Sequence, residues 1–153
     1  MRCEVTAPLA GRVMAMSDVP DPVFSEEIVG PGLALLPAEG CGPITAQAPI
    51  TGRVVKIHPH AFVLLTDSGV GVLVHLGLDT VTLEGDGFRV LVDEGAHVAR
   101  GDALIEWDPD SVRAAGLNPV VPMVVLDATA RDLTPYAVPG AQVVAGQLVL
   151  AVD

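Results

Sequence analysis

Residues 61–77, "AFVLLTDSGVGVLVHLG", decide how this chain is read. An apolar run, a polar turn at "DSG" and a second apolar run describe a β-hairpin. Val, Leu and Phe suit a half-buried pleated surface, and Asp, Ser and Gly suit the reversal between strands. Outward from this hairpin the same pattern recurs. Gly (16) and Pro (13) interrupt the 153 residues at short intervals, with Val-rich runs between them. Strands are predicted at 3–7, 11–16, 33–37, 44–48, 52–57, 61–66, 70–76, 88–92, 103–107, 121–126 and 147–152. Helix-like stretches are short: 22–28 ("PVFSEEI") and 109–115 ("PDSVRAA"). The second opens on Asp108 as a cap with Pro109 in the first turn, and it closes at Gly116. The expected fold is all-β, with one or two very short helices.

Two internal repeats refine this. "APLAGRVMAM" at 7–16 resembles "APITGRVVKI" at 48–57, and "EGAHVARGDALIEWD" at 94–108 resembles "PGAQVVAGQLVLAVD" at 139–153. Each copy of the second type reads as turn, short strand, Gly turn, strand. The paired repeats predict two similar half-sheets wrapped face to face: a compact β-sandwich of duplicated type with internal pseudo-two-fold symmetry. Biotinyl and lipoyl carrier domains use a similar "EGxxVxxGxxL" hairpin but need an exposed lysine at a hairpin tip. The one lysine here, Lys56, falls inside a predicted strand, so that reading fails.

At 15.7 kDa the chain reads as a single domain over 1–153, long enough to bury a core without staples. Aromatic residues make up only 3%, so the core must be aliphatic. Nineteen acids against eight bases leave a formal charge of −11, which argues against nucleic acid and suits a partner with a basic face. Cys3 and Cys41 lack CxxC spacing and read as reduced thiols. The N-terminus has no long apolar segment, and no apolar run approaches the roughly 20 residues of a spanning helix. A soluble cytoplasmic protein without membrane insertion is expected.

Three of the four histidines, His58, His60 and His75, lie beside the opening hairpin. With a two- or four-residue loop, His75 falls opposite Phe62. His60, two residues before Phe62, then points to the same face as His75. A three-residue loop would put the two rings on opposite faces. His97, in the polar turn "EGAHVARG", reads as solvated, and His58 as a loop residue or a third site member. Paired imidazoles serve two chemistries. Zinc takes neutral His nitrogens and usually a third protein ligand. Phosphoryl transfer takes a neutral imidazole as nucleophile, and a ring with a pKa near 6.5 is roughly three-quarters neutral at pH 7. A second imidazole supplies a donor to the phosphoryl oxygens, and an apolar surround strengthens it. No GxxxxGK[ST] loop and no Gly-rich dinucleotide loop occurs, so no nucleotide is implied.

The segments "APLAGRV", "VPDPVFSEEIVGPGLALLP", "APITGRV", "HAFVLLTDSGVGVLVHLGLDTV", "LEGDGF", "VDEGAHVARGDALIEWD" and "PVVPMVVLD", spread over residues 5–126, carry a resemblance. The chain resembles the enzyme IIA component, glucose family, of the bacterial phosphoenolpyruvate:sugar phosphotransferase system. The resemblance implies a β-sandwich phosphocarrier in which the His of "VHLGLDT", His75, is phosphorylated and the His of "HAF", His60, supports it. The phosphoryl group would arrive from the histidine carrier HPr and leave to a cysteine of a IIB domain, with no cofactor required. It also implies a docking surface that includes Asp21, Val23, Phe24, Val29 and Asp79. Relatives in the family bind permeases and kinases when unphosphorylated, so a regulatory binding module is the alternative, and His60 and His75 could take zinc at a shared interface. A zinc peptidase built on His58, His60 and His75 is a third reading. Two departures from the family pattern stand out. Relatives carry a Thr two positions ahead of the first site histidine; here that loop is about two residues shorter and His58 stands in its place. Residues 127–153 extend past the matched segment and read as a further hairpin completing the sandwich. With no IIB cysteine motif and no membrane span, the chain reads as a free-standing IIA.

Overall fold

The computed structural model describes residues 2–153. Fourteen strands are formed among them: β1 Cys3–Thr6, β2 Gly11–Ala15, β3 Gly32–Leu36, β4 Ile44–Gln47, β5 Gly52–His58, β6 Ala61–Leu65, β7 Gly71–His75, β8 Phe88–Val90, β9 His97–Val98, β10 Ala103–Trp107, β11 Val121–Leu126, β12 Leu133–Pro135, β13 Gln142–Val143 and β14 Leu148–Val152. Every strand predicted from the sequence is present. Of the three outside those ranges, β9 and β13 are the short strands of the 94–108 and 139–153 repeats, and β12, three residues long, is too short to show a period.

One sheet has eight strands in the order β13-β2-β3-β11-β7-β6-β5-β9, and two have three strands each, β1-β14-β12 and β4-β10-β8. The order of the large sheet is palindromic about the β11–β7 pair, and its registers repeat from one half to the other. Gly11 faces Val143 and Arg12 faces Gln142, as Gly52 faces Val98 and Arg53 faces His97. The "GRV" repeats are therefore equivalent strands of two half-sheets, as the pseudo-two-fold reading requires. Their glycines serve the same purpose: a Cβ on Gly11 would come within 2.8 Å of the Leu36 carbonyl oxygen, and one on Gly52 within 2.4 Å of that of Leu65. Only a residue without a side chain lets the neighbouring strand approach so closely.

The main core lies between the layers. Val54, Phe62, Leu64, Val72, Val74 and Met123 of the large sheet pack with Val5, Ala46, Leu104, Trp107 and Leu150 of the small ones. The outer face of the large sheet carries a second, smaller cluster in which Ala34 and Val124 are covered by Met16, Val19, Phe24, Leu78 and Val120. Strand alternation sorts β7 between the two: Val72 and Val74 enter the main core, and Leu73 packs on the outer cluster.

Two short helices stand where predicted, α1 Pro22–Ser25 and α2 Pro109–Ala114. Asp21 caps α1 by accepting the Val23 N–H at 3.0 Å, and Asp108 caps α2 by accepting that of Asp110 at 2.9 Å. α1 stops earlier than predicted. Glu27 turns left-handed (φ 55°), and the Ile28 N–H returns to the Val23 carbonyl at 3.2 Å. Residues 127–153 are integral to the sandwich, since β14 is the central strand between β1 and β12. No helix among the described residues is long and apolar enough to cross a membrane.

Candidate functional site

The β6–β7 hairpin does not have the predicted register. The Thr66 N–H bonds the Val70 carbonyl, so Asp67, Ser68 and Gly69 form a three-residue turn. His75 consequently faces Ala61, not Phe62, and the Leu76 N–H bonds the His60 carbonyl at 2.7 Å. By the pleat alone His60 would share the face of Leu76, which is fully buried in the main core. The rings nevertheless meet, with His60 and His75 centroids 5.2 Å apart and their planes at 63°. His60 escapes the alternation because it is not in a strand. His58 pairs with Ala61, so Pro59 and His60 make a two-residue turn between β5 and β6. The convergence holds, but the turn produces it and the strand period does not. The rule that a three-residue loop would separate the rings fails for the same reason.

His75 ends β7 and is locked on one side. A carbonyl oxygen only accepts, so the 2.5 Å contact between His75 Nδ1 and the Gly77 carbonyl requires a proton on Nδ1 and leaves the lone pair on Nε2. The carbonyl is held by a tight loop. Thr80, 1% exposed, donates its hydroxyl to the Leu76 carbonyl at 2.8 Å, and the Leu78 N–H bonds the Asn118 carbonyl at 2.8 Å. Gly77 adopts φ +83°, and a Cβ there would lie 2.7 Å from Thr80 Cγ2. On its other flank His75 meets the edge of Phe24, centroids 5.6 Å apart.

Burial pushes the His75 pKa below the ordinary histidine value, opposed by the Gly77 carbonyl and by the charges of Asp21 and Asp79. His60 is also pushed down, first by burial and then by its neighbours His75 and His58. Both shifts favour the neutral ring, the form that can attack phosphorus or ligate a metal.

The other sequence-predicted residues fall in different places. Val23 is 45% exposed beside the site, whereas Phe24 is 6% exposed and belongs to the outer core cluster, with Val29 packed on it. Phe24 is thus placed beneath the predicted docking surface rather than on it. Asp21 caps α1, and Asp79 is exposed with a left-handed φ of 59° and no side-chain capping bond. His58 is no bystander: its ring stacks on that of His60 at 5.7 Å and 16°. His97 is exposed, 3.7 Å from Asp67. Sequence reasoning missed Gly77, Thr80 and Asn118. The first two lie within "HLGLDT", but nothing in the sequence marks Asn118.

Among the described residues no group of three or more His, Cys, Asp or Glu side chains is arranged to hold a metal. A cavity of about 220 Å³ lined by Val13, Pro31, Leu33, Leu133 and Leu150 includes neither imidazole. Both imidazoles are half-buried.

Residues 3–131 match the family described as phosphoenolpyruvate-dependent sugar phosphotransferase system, EIIA 1. The whole structure is similar to that of glucose permease IIA from Mycoplasma capricolum, with a TM-score of 0.86 and 33% identity over 99% of this chain and 96% of that one. The similarity thus extends through the C-terminal strands. From the family match and this likeness, the chain belongs to the EIIA 1 family of the phosphoenolpyruvate-dependent sugar phosphotransferase system.

Proposed function

We propose that this chain is a phosphocarrier that accepts a phosphoryl group on Nε2 of His75 from phospho-HPr and passes it to a cysteine of a IIB domain. The observation that carries the proposal is the bond from Nδ1 to the Gly77 carbonyl, because it leaves Nε2 unprotonated on a half-buried ring. The lone pair of Nε2 attacks phosphorus. The nitrogen–phosphorus bond to the donor imidazole breaks, and its electron pair returns to the donor ring. No nucleotide, metal or other cofactor enters the balance. As positive charge builds on the His75 ring, the Gly77 carbonyl and the carboxylates of Asp21 and Asp79 stabilise it.

His60 supplies a ring N–H to the phosphoryl oxygens, since its centroid lies 5.2 Å from that of His75. Val23, 45% exposed, and the carboxylates of Asp21 and Asp79 near His75 suit a donor surface that is basic around an apolar contact. A phospho-HPr donor implies a cytoplasmic location. Two imidazoles do not complete a zinc site, so zinc would bind here only with ligands from a partner.

Incubation with phosphoenolpyruvate, enzyme I and HPr is expected to label the protein with an acid-labile, base-stable phosphate. His75→Ala abolishes the label, and His60→Ala slows onward transfer more than loading. Labelling that survives His75→Ala refutes the assignment.

A further inference from the structure

His58 pairs with Ala61, and Ala61 pairs with His75. Directly paired residues share a sheet face, so these three form one row across β5, β6 and β7. Ala61 contributes only a methyl group to the row. From the turn, His60 lays its ring between the two flanking imidazoles, flat against His58 at 5.7 Å and edge-on to His75 at 5.2 Å.

We propose that His58 is a positioning residue of the phosphoryl site: its ring fixes the plane of His60 and therefore the direction of the N–H that His60 offers toward His75. The proposal rests on reading His75 as the phosphoryl acceptor. A turn residue has no pleat to orient its side chain, so ring contacts on both sides are what hold His60 in one plane. A His60 ring free to rotate spends only part of its time with an N–H on the phosphoryl oxygens, and transfer slows in proportion. The neutral form of His60, with one N–H, is favoured first by burial and then by its neighbours His75 and His58. The other charged groups around this tip are Lys56 on β5, Glu94, which accepts the Ile57 N–H at 3.3 Å, and Glu84 and Asp86, which flank the Gly85 that packs on Pro59. Across the site stand His75, Asp21 and Asp79.

Two variants separate stacking from charge. His58→Ala removes both, and His58→Phe keeps a flat ring without a proton. The readouts are ring-nitrogen NMR titration of His60 in the intact protein, and rates of loading from phospho-HPr and onward transfer to IIB. His58 is one of the neighbours that lower the His60 pKa, so both variants are expected to raise the His60 midpoint. His58→Ala is expected to slow onward transfer about three- to tenfold, and His58→Phe to restore it to within about twofold of the unaltered protein. The proposal is overturned if His58→Ala leaves onward transfer unchanged, or if His58→Phe transfers as poorly as His58→Ala. Failure of the unaltered protein to take label at His75 would instead overturn the phosphocarrier reading, and the titration would still report whether His58 and His60 are coupled.

Discussion

The ring of Phe24 meets the imidazole of His75 edge-on, centroids 5.6 Å apart and planes at 61°. One turn of helix thus sends Phe24 inward as a wall of the site and leaves its neighbour Val23 on the surface. Replacing Phe24 by Ala removes a buried aromatic ring, expected to cost about 3 kcal/mol by urea denaturation. It also lets water reach His75, whose pKa is lowered chiefly by burial, so its NMR titration midpoint is expected to rise. Phe24→Leu keeps most of both. A midpoint unmoved by Phe24→Ala would show that the burial comes from elsewhere.

The two lowered imidazole pKa values predict how stability depends on pH. Their folded values lie below the unfolded one of about 6.5, so the unfolded chain takes up protons first as the pH falls. Their contribution is complete above pH ~6.5, declines below it, and levels off once the folded midpoints are passed. Melting temperatures from pH 8 to pH 5 are expected to fall in that window. The decline is expected to be shallower in His75→Gln, and an equal slope would refute the linkage.

Gly77→Ala tests the tautomer lock. A methyl group there meets Thr80 Cγ2 at 2.7 Å and the Asn118 carbonyl at 3.1 Å, on a backbone held at φ +83°. The expected loss is about 2 kcal/mol of stability. The distinctive readout is the ring-nitrogen spectrum of His75: if the loop shifts its carbonyl, the single Nδ1–H tautomer becomes a mixture.

Asp79→Asn leaves stability within about 0.5 kcal/mol, because the carboxylate makes no capping bond and Asn tolerates the left-handed backbone. Loading from phospho-HPr is expected to slow about two- to fivefold at low salt, and the difference should vanish at high salt, where the Debye length is a few ångströms. A deficit that persists at high salt would point to a contact of another kind.

Much of this molecule is legible in its sequence. Asp21 and Asp108 precede prolines and cap the two helices, since capping depends on neighbours in sequence. The "GRV" repeats become equivalent strands because a duplicated pattern of glycine and valine folds the same way twice. The conjunction of His60 and His75 was also anticipated, though for the wrong reason.

That reason marks the boundary. Strand period and turn chemistry are local, so residues a few positions apart suffice to specify them. Register is not local: one residue more or less in the "DSG" turn reverses which side chains share a face, and His75 came to face Ala61. At Pro59–His60 the backbone repeats no conformation, so the ring direction of His60 depended on what packs around it. The same holds for Phe24, buried by a sheet face formed from β3 and β11, and for Asn118, brought to the His75 loop from far along the chain. Such contacts arise only when distant segments share one volume, and neighbours in sequence carry no record of that.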